Sequence, residues 1–161
     1  MSEHAPGSVL DGRFRIDPMH PAMYHVMNHG VDSGLGHHPG YMILPENSVA
    51  YSPFDFANDP PARRNAFIEY TFWNTPYDPS QRYAGGEYAF QSDGSDGLAA
   101  WVQQNRPIHD TDIVTWYSMG FHHVPHMEDW PVMSTSWKGI TLMPYNFFGH
   151  NPAMAIQGPP S

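Results

Sequence analysis

Proline and glycine interrupt this sequence too often for long helices. There are 17 prolines and 14 glycines among 161 residues, and a proline inside a helix removes a backbone donor and clashes with the preceding turn. Nowhere do apolar residues keep the i, i+3, i+4, i+7 spacing over three turns that a buried helix face requires. Short runs of aromatic and β-branched residues recur instead between turn clusters, the pattern of an all-β fold. Strands are expected at "MYHVMN" (23–28), "GYMIL" (40–44), "AFIEYTFW" (66–73), "TDIVTWYS" (111–118) and "KGITLM" (138–143). Residues 44–61, 74–86 and 91–97, rich in Pro, Asp, Ser and Gly, read as loops. At most one short helix is expected, over 96–105, where Asp96 is placed to cap and Leu98, Trp101 and Val102 share a face.

A chain of 161 residues is about one domain's worth. Strands joined by loops this long do not close into a small barrel, and sheet edges would keep unpaired backbone groups. Loops beyond about 12–15 residues usually lie against something else, so the pattern suggests part of a larger sheet system. With 7 Lys+Arg against 16 Asp+Glu the formal charge is -9, which repels phosphate backbones and anionic lipid surfaces. Neither nucleic acid nor a membrane is an expected partner. The absence of cysteine excludes disulfides and thiolate metal sites, leaving histidine and carboxylate as metal ligands. The opening "MSEHAPGSVLDG" shows no basic segment followed by an apolar run, no window reaches the roughly 18 apolar residues of a membrane span, and "QGPPS" at the end carries no address. The compartment is not legible.

The densest chemistry lies in "GFHHVPHMEDWPVM", residues 120–133, with three histidines within five residues followed by an acidic pair. Adjacent side chains in an extended segment point to opposite faces, so His122 and His123 cannot easily serve one small site. One faces in and the other out. On residue type alone, such a cluster in an acidic protein is more often exposed histidine with adventitious metal affinity than a built site.

The flanking residues add a resemblance. "DIVTWYSMGFHHVPHMEDWPVM" (112–133) and "GITLMPYNFFGHNPAM" (139–154), with "LGHHPGYMILP" (35–45) and "RRNAFIEYTFWNTPYDPSQRYAGGEYAFQ" (63–91) upstream, resemble the end of the catalytic domain of copper-containing amine oxidases. The family's pattern there includes H-x-P-R-x-E-D-x-P-x-M-P. His126 stands in place of its Arg and Ser134 in place of its last Pro, and most of the family's catalytic domain has no counterpart here. Residues 24–161 follow the pattern, whereas 1–23 match it poorly.

The resemblance implies the C-terminal portion of a large antiparallel β-sandwich, from an oxidoreductase that converts a primary amine, water and O₂ to an aldehyde, ammonia and hydrogen peroxide. The family holds Cu(II) on three histidines beside topaquinone, a quinone made from a tyrosine of the same chain, and is usually homodimeric. By this correspondence His123 is the third copper ligand and His122 a surface or packing residue. Met133 would lie close to the copper. Asp112 and the carbonyl of Ile113 would belong to a peripheral calcium-type site, and Glu128 and Asp129 would anchor the loop by hydrogen bonds. The sequence contains no H-x-H for the other two ligands and no N-Y-D/E for the quinone, since "PYD" at 76–78 has Pro76 in place of Asn and reads as a turn. The family's catalytic aspartate has no counterpart either. The isolated chain is therefore expected to be inactive, to bind copper weakly, and to self-associate through exposed sheet edges. The alternative is a non-catalytic β-rich binding or interaction module derived from the same domain.

Overall fold

A computed structural model describes residues 5–15, 23–45, 58, 59, 62, 65–120, 123–156 and 158. Its described elements are antiparallel strands, single-turn 3-10 segments and one short helix. The chain forms two compact units, Met1–Pro21 with Asn47–Lys138 and Ala22–Glu46 with Gly139–Ser161.

In the first unit, β3 (Phe72–Pro76) pairs with β4 (Ile113–Tyr117), Phe72 opposite Tyr117 and Pro76 opposite Ile113. The ladder bond at the next position, from Tyr77 N–H to the Asp112 carbonyl at 2.8 Å, fixes the alternation. It puts Pro76 in a pair that exchanges no hydrogen bonds, the one setting where a missing N–H costs nothing. Residues 74–76, expected to open a loop, therefore finish the strand. Tyr77 continues the ladder, and the turn starts at Asp78, whose carboxylate accepts from Ser80 N and Oγ.

The expected strand at 66–73 is half right. Ala66–Glu69 is a 3-10 turn, and extended structure begins at Phe72. The reason is tertiary: the Phe67 carbonyl accepts from Trp73 Nε1 at 2.7 Å and from Ser118 Oγ at 3.2 Å, so this segment folds back on its own strand rather than extending it. Strand propensity yields to such contacts.

The core gathers Val9, Trp73, Leu98, Val102 and Ile108, with Phe67, Tyr70, Trp101 and Trp116 packed against it. Two of its buried polar side chains, Asn74 and Thr75, are paired. Asn74 donates to the Gly12 carbonyl and accepts from Thr115 Oγ1, and Trp116 Nε1 donates to Thr75 Oγ1. The N-terminal residues take part: Val9 is fully buried, and Phe14 exchanges both backbone bonds with Phe72 on the side of β3 away from β4.

The expected helix forms as α1 (Leu98–Trp101), continued by a 3-10 turn over Val102–Gln104. Leu98 and Val102 are buried and Trp101 packs on the same core, as their spacing predicts. Asp96, however, does not cap it. The N-cap is Gly97, with no side-chain cap bond, and the Asp96 carboxylate reaches instead to Glu87 N and Trp101 Nε1. Glycine is needed at 97, because its φ is +99° and a Cβ would come within 2.8 Å of the Ala84 carbonyl oxygen.

In the second unit, β1 (Tyr24–Met27), β2 (Gly40–Pro45) and β5 (Ile140–Tyr145) form a three-stranded antiparallel sheet in that order. Ile43 lies opposite both Tyr24 and Leu142. Gly40 lets β1 and β2 close up: a Cβ there would lie 2.1 Å from the Val26 carbonyl oxygen. Burial is sparse, with Ile43 5% exposed but Leu142 on β5 57% exposed. Among the described residues no strand covers the outer edges of β1, β4 or β5.

Candidate metal centre

Just beyond β4, Ser118 bonds back through its N–H to the Thr71 carbonyl and through its Oγ to the Phe67 carbonyl. The next described element is the single 3-10 turn Met127–Asp129. That turn brings the acidic pair back under the histidines and separates its members. Asp129 turns inward: its side chain is 11% exposed, and its Oδ2 accepts from His123 Nε2 at 2.9 Å and from the His126 backbone N–H at 3.1 Å. Glu128 turns outward at 84% exposure, with Oε2 3.4 Å from His126 Nδ1.

His123 is half-buried and His126 exposed, their ring centroids 6.4 Å apart. His122, expected on the opposite face, lies outside the described residues. The loop-anchoring role foreseen for the acidic pair thus falls to Asp129. What the sequence reading missed is that this carboxylate also binds the histidine six residues before it. A potential ligand followed closely by E-D in a turn was the available signal, because metal-binding histidines commonly give their second nitrogen to a carboxylate.

Asp112 and Ile113 are at the start of β4, and His123 follows its far end. The Asp112 side chain is exposed, and its carbonyl is taken by Tyr77 N–H. The ladder alternation directs the Ile113 carbonyl away from β3, to the strand's open edge. Met133 follows the cis Trp130–Pro131 bond and is 58% exposed. Tyr77 is 63% exposed.

Chemically, His123 offers one imidazole, backed by a carboxylate, and so fits one position of a copper site built on nitrogen ligands. Among the described residues it belongs to no group of three side chains able to hold an ion by themselves. Asp129 Oδ1 is buried and has no partner among them.

Comparison with known proteins gives this arrangement its context. The family model described as "Copper amine oxidase, enzyme domain" matches residues 4–160. The chain belongs to the copper amine oxidase family. Primary amine oxidase 1 of Arabidopsis thaliana is 43% identical over 142 residues, covering 88% of this chain and 22% of that protein. The copper-containing amine oxidase gamma 1 of the same plant is 42% identical over 144 residues, covering 89% and 20%. The crystal structure of a copper-containing benzylamine oxidase from Hansenula polymorpha superposes with a TM-score of 0.77 at 27% identity, covering 91% of this chain and 23% of that one. The chain therefore spans about a fifth of the length of the curated relatives it matches. Its described antiparallel sheets and short helix agree with the family's β-sandwich, and the family's cofactors are copper and topaquinone.

Proposed function

We propose that this chain is the C-terminal part of the catalytic domain of an enzyme that oxidises primary amines with O₂ and water to aldehyde, ammonia and hydrogen peroxide. In that enzyme it supplies one copper ligand, His123. The observation that supports this reading most directly is the pairing of His123 Nε2 with Asp129 Oδ2 at 2.9 Å, which leaves the other ring nitrogen for a metal. When bound, copper and topaquinone supply the redox chemistry. The chain's own part is to hold a half-buried imidazole in place, with Pro125 two residues on restricting the backbone that carries it.

The remaining machinery comes from elsewhere, since the sequence has neither H-x-H nor N-Y-D/E. Alone the chain is inactive, because no quinone can form to take the amine and a single imidazole does not retain copper. Two subsidiary assignments accompany this reading. The Asp112 carboxylate and the Ile113 carbonyl give oxygen donors to a calcium-type ion, and Met133 comes to lie beside the copper in the complete, homodimeric enzyme.

The test joins the chain to the upstream catalytic portion of the Arabidopsis relative and measures copper per protomer. His123→Ala is expected to abolish tight copper and His122→Ala to leave it. The reverse pattern overturns the assignment. Expressed alone with copper and O₂, the chain is expected to give no quinone redox-cycling stain and no peroxide from methylamine, benzylamine or phenylethylamine.

A further inference from the structure

We propose that Asp129 is a positioning residue for His123, selecting which ring nitrogen is free to meet a metal. The proposal rests on the reading of His123 as a copper ligand and concerns how this chain prepares that ligand. A neutral imidazole carries one N–H and one lone pair, and the hydrogen bond made by one nitrogen decides the role of the other. An ionised carboxylate can only accept. With Asp129 Oδ2 2.9 Å from Nε2, the proton belongs on Nε2 and the lone pair on Nδ1.

The carboxylate is itself fixed. The His126 backbone N–H donates to the same Oδ2 at 3.1 Å, and the Asp129 N–H donates to the His126 carbonyl at 3.2 Å. These reciprocal bonds across the Met127–Asp129 turn leave the side chain little freedom. With Asp129 11% and His123 27% exposed, water competes poorly for the bond between them. A purely structural anchor would be served equally well by an amide, which can accept from one group and donate to another. Asp129 Oδ1 is buried, with no donor among the described residues. The carboxylate's inability to donate is the property that an amide lacks.

The full chain labelled with [¹⁵N]histidine decides the matter. Magic-angle-spinning spectra of sedimented protein tolerate self-association, and at about pH 8.5 histidine is neutral. The His123 signals are assigned by their loss in His123→Gln. In the unaltered chain His123 is expected as the Nε2–H tautomer alone. Asp129→Asn is expected to lose that exclusivity, and Asp129→Glu to regain part of it, with far-UV circular dichroism unchanged. An Nδ1–H or mixed tautomer in the unaltered chain overturns the proposal and leaves the ligand reading intact. An unchanged tautomer in Asp129→Asn overturns it too. Should that variant fail to fold, the unaltered chain's spectrum decides alone. Copper retained by His123→Ala in the completed enzyme overturns the ligand reading and this proposal together.

Discussion

The unit built on β3 and β4 and the unit built on β1, β2 and β5 both pair their strands in antiparallel ladders, yet they bury very different amounts of side chain. In the first, Trp73, Leu98, Val102 and Val9 are at most 2% exposed, and residues far apart in sequence close the core, Val9 bonding to Arg106 and Asn74 to Gly12. In the second, β5 is exposed from Ile140 to Pro144, and Ile43 is the one buried hydrophobic residue described. Backbone pairing specifies both sheets. Burial, the larger favourable term in folding, is concentrated in one of them.

The strongest way to break this contrast is to open the core. Leu98→Ala removes a fully buried side chain and is expected to destabilise the first unit by about 2–5 kcal/mol, while Leu142→Ala on the exposed β5 changes stability by no more than about 0.5 kcal/mol. All five tryptophans lie within Asn47–Lys138, so their fluorescence during urea titration reads Leu98→Ala in the first unit, and amide exchange in residues 140–145 reads Leu142→Ala in the second. Equal effects from the two substitutions would show that the second unit is as well packed as the first.

A smaller effect is expected from attacking a ladder instead of a core. In Gly40→Ala the new Cβ meets the Val26 carbonyl oxygen, and closing is possible only if β1 separates from β2. The expected cost of about 2–3 kcal/mol corresponds to roughly 30–150-fold faster amide exchange in residues 24–45. The tryptophan transition should stay where it was. Unaltered exchange in Gly40→Ala would mean that β1 contributes nothing to that sheet's protection.

The same contrast explains what was legible in the sequence. The spacing of Leu98, Trp101 and Val102 states a helical face directly, and the helix forms there; Asp96 looked like its cap because Asp is a common cap, but its carboxylate was already committed to Glu87 and Trp101. Apolar runs gave the strands where ladder and composition agree, as at β1, β2, β4 and β5. At 66–73 they gave the wrong boundary, because the Phe67 carbonyl serves Trp73 and Ser118, bonds no local pattern encodes. Pro76 looked like a loop residue for want of the register that makes it harmless. At the candidate metal centre the order of residues singles out His123 as a candidate, whereas its pairing with Asp129 depends on a 3-10 turn that the residues between them, "VPHME", do not announce.

The smallest expected effect, and the most specific to the packed unit, is its response to acid. The Asp96 carboxylate is held below the usual carboxylate range, chiefly by the Glu87 N–H, then by the Gly97 N–H, with Trp101 Nε1 adding to them against the opposing effect of burial. Asp78 is lowered likewise, first by the Ser80 hydroxyl, then by the Ser80 N–H, with a lesser contribution from Arg106. A carboxylate whose folded pKa is depressed binds its proton more weakly folded than unfolded. Its stabilisation is complete above the unfolded value, near pH 4, and is lost as pH falls through the folded value. The urea midpoint of the tryptophan transition should therefore hold from pH 7 to about 5 as far as these groups are concerned, and drop below about 4. Asp96→Asn, which cannot ionise, should be less stable than the unaltered chain at pH 7 and should approach it on acidification. Midpoints at pH 7, 4 and 3 that keep a constant gap between the two proteins would show that Asp96 joins the 83–88 loop to α1 by packing alone.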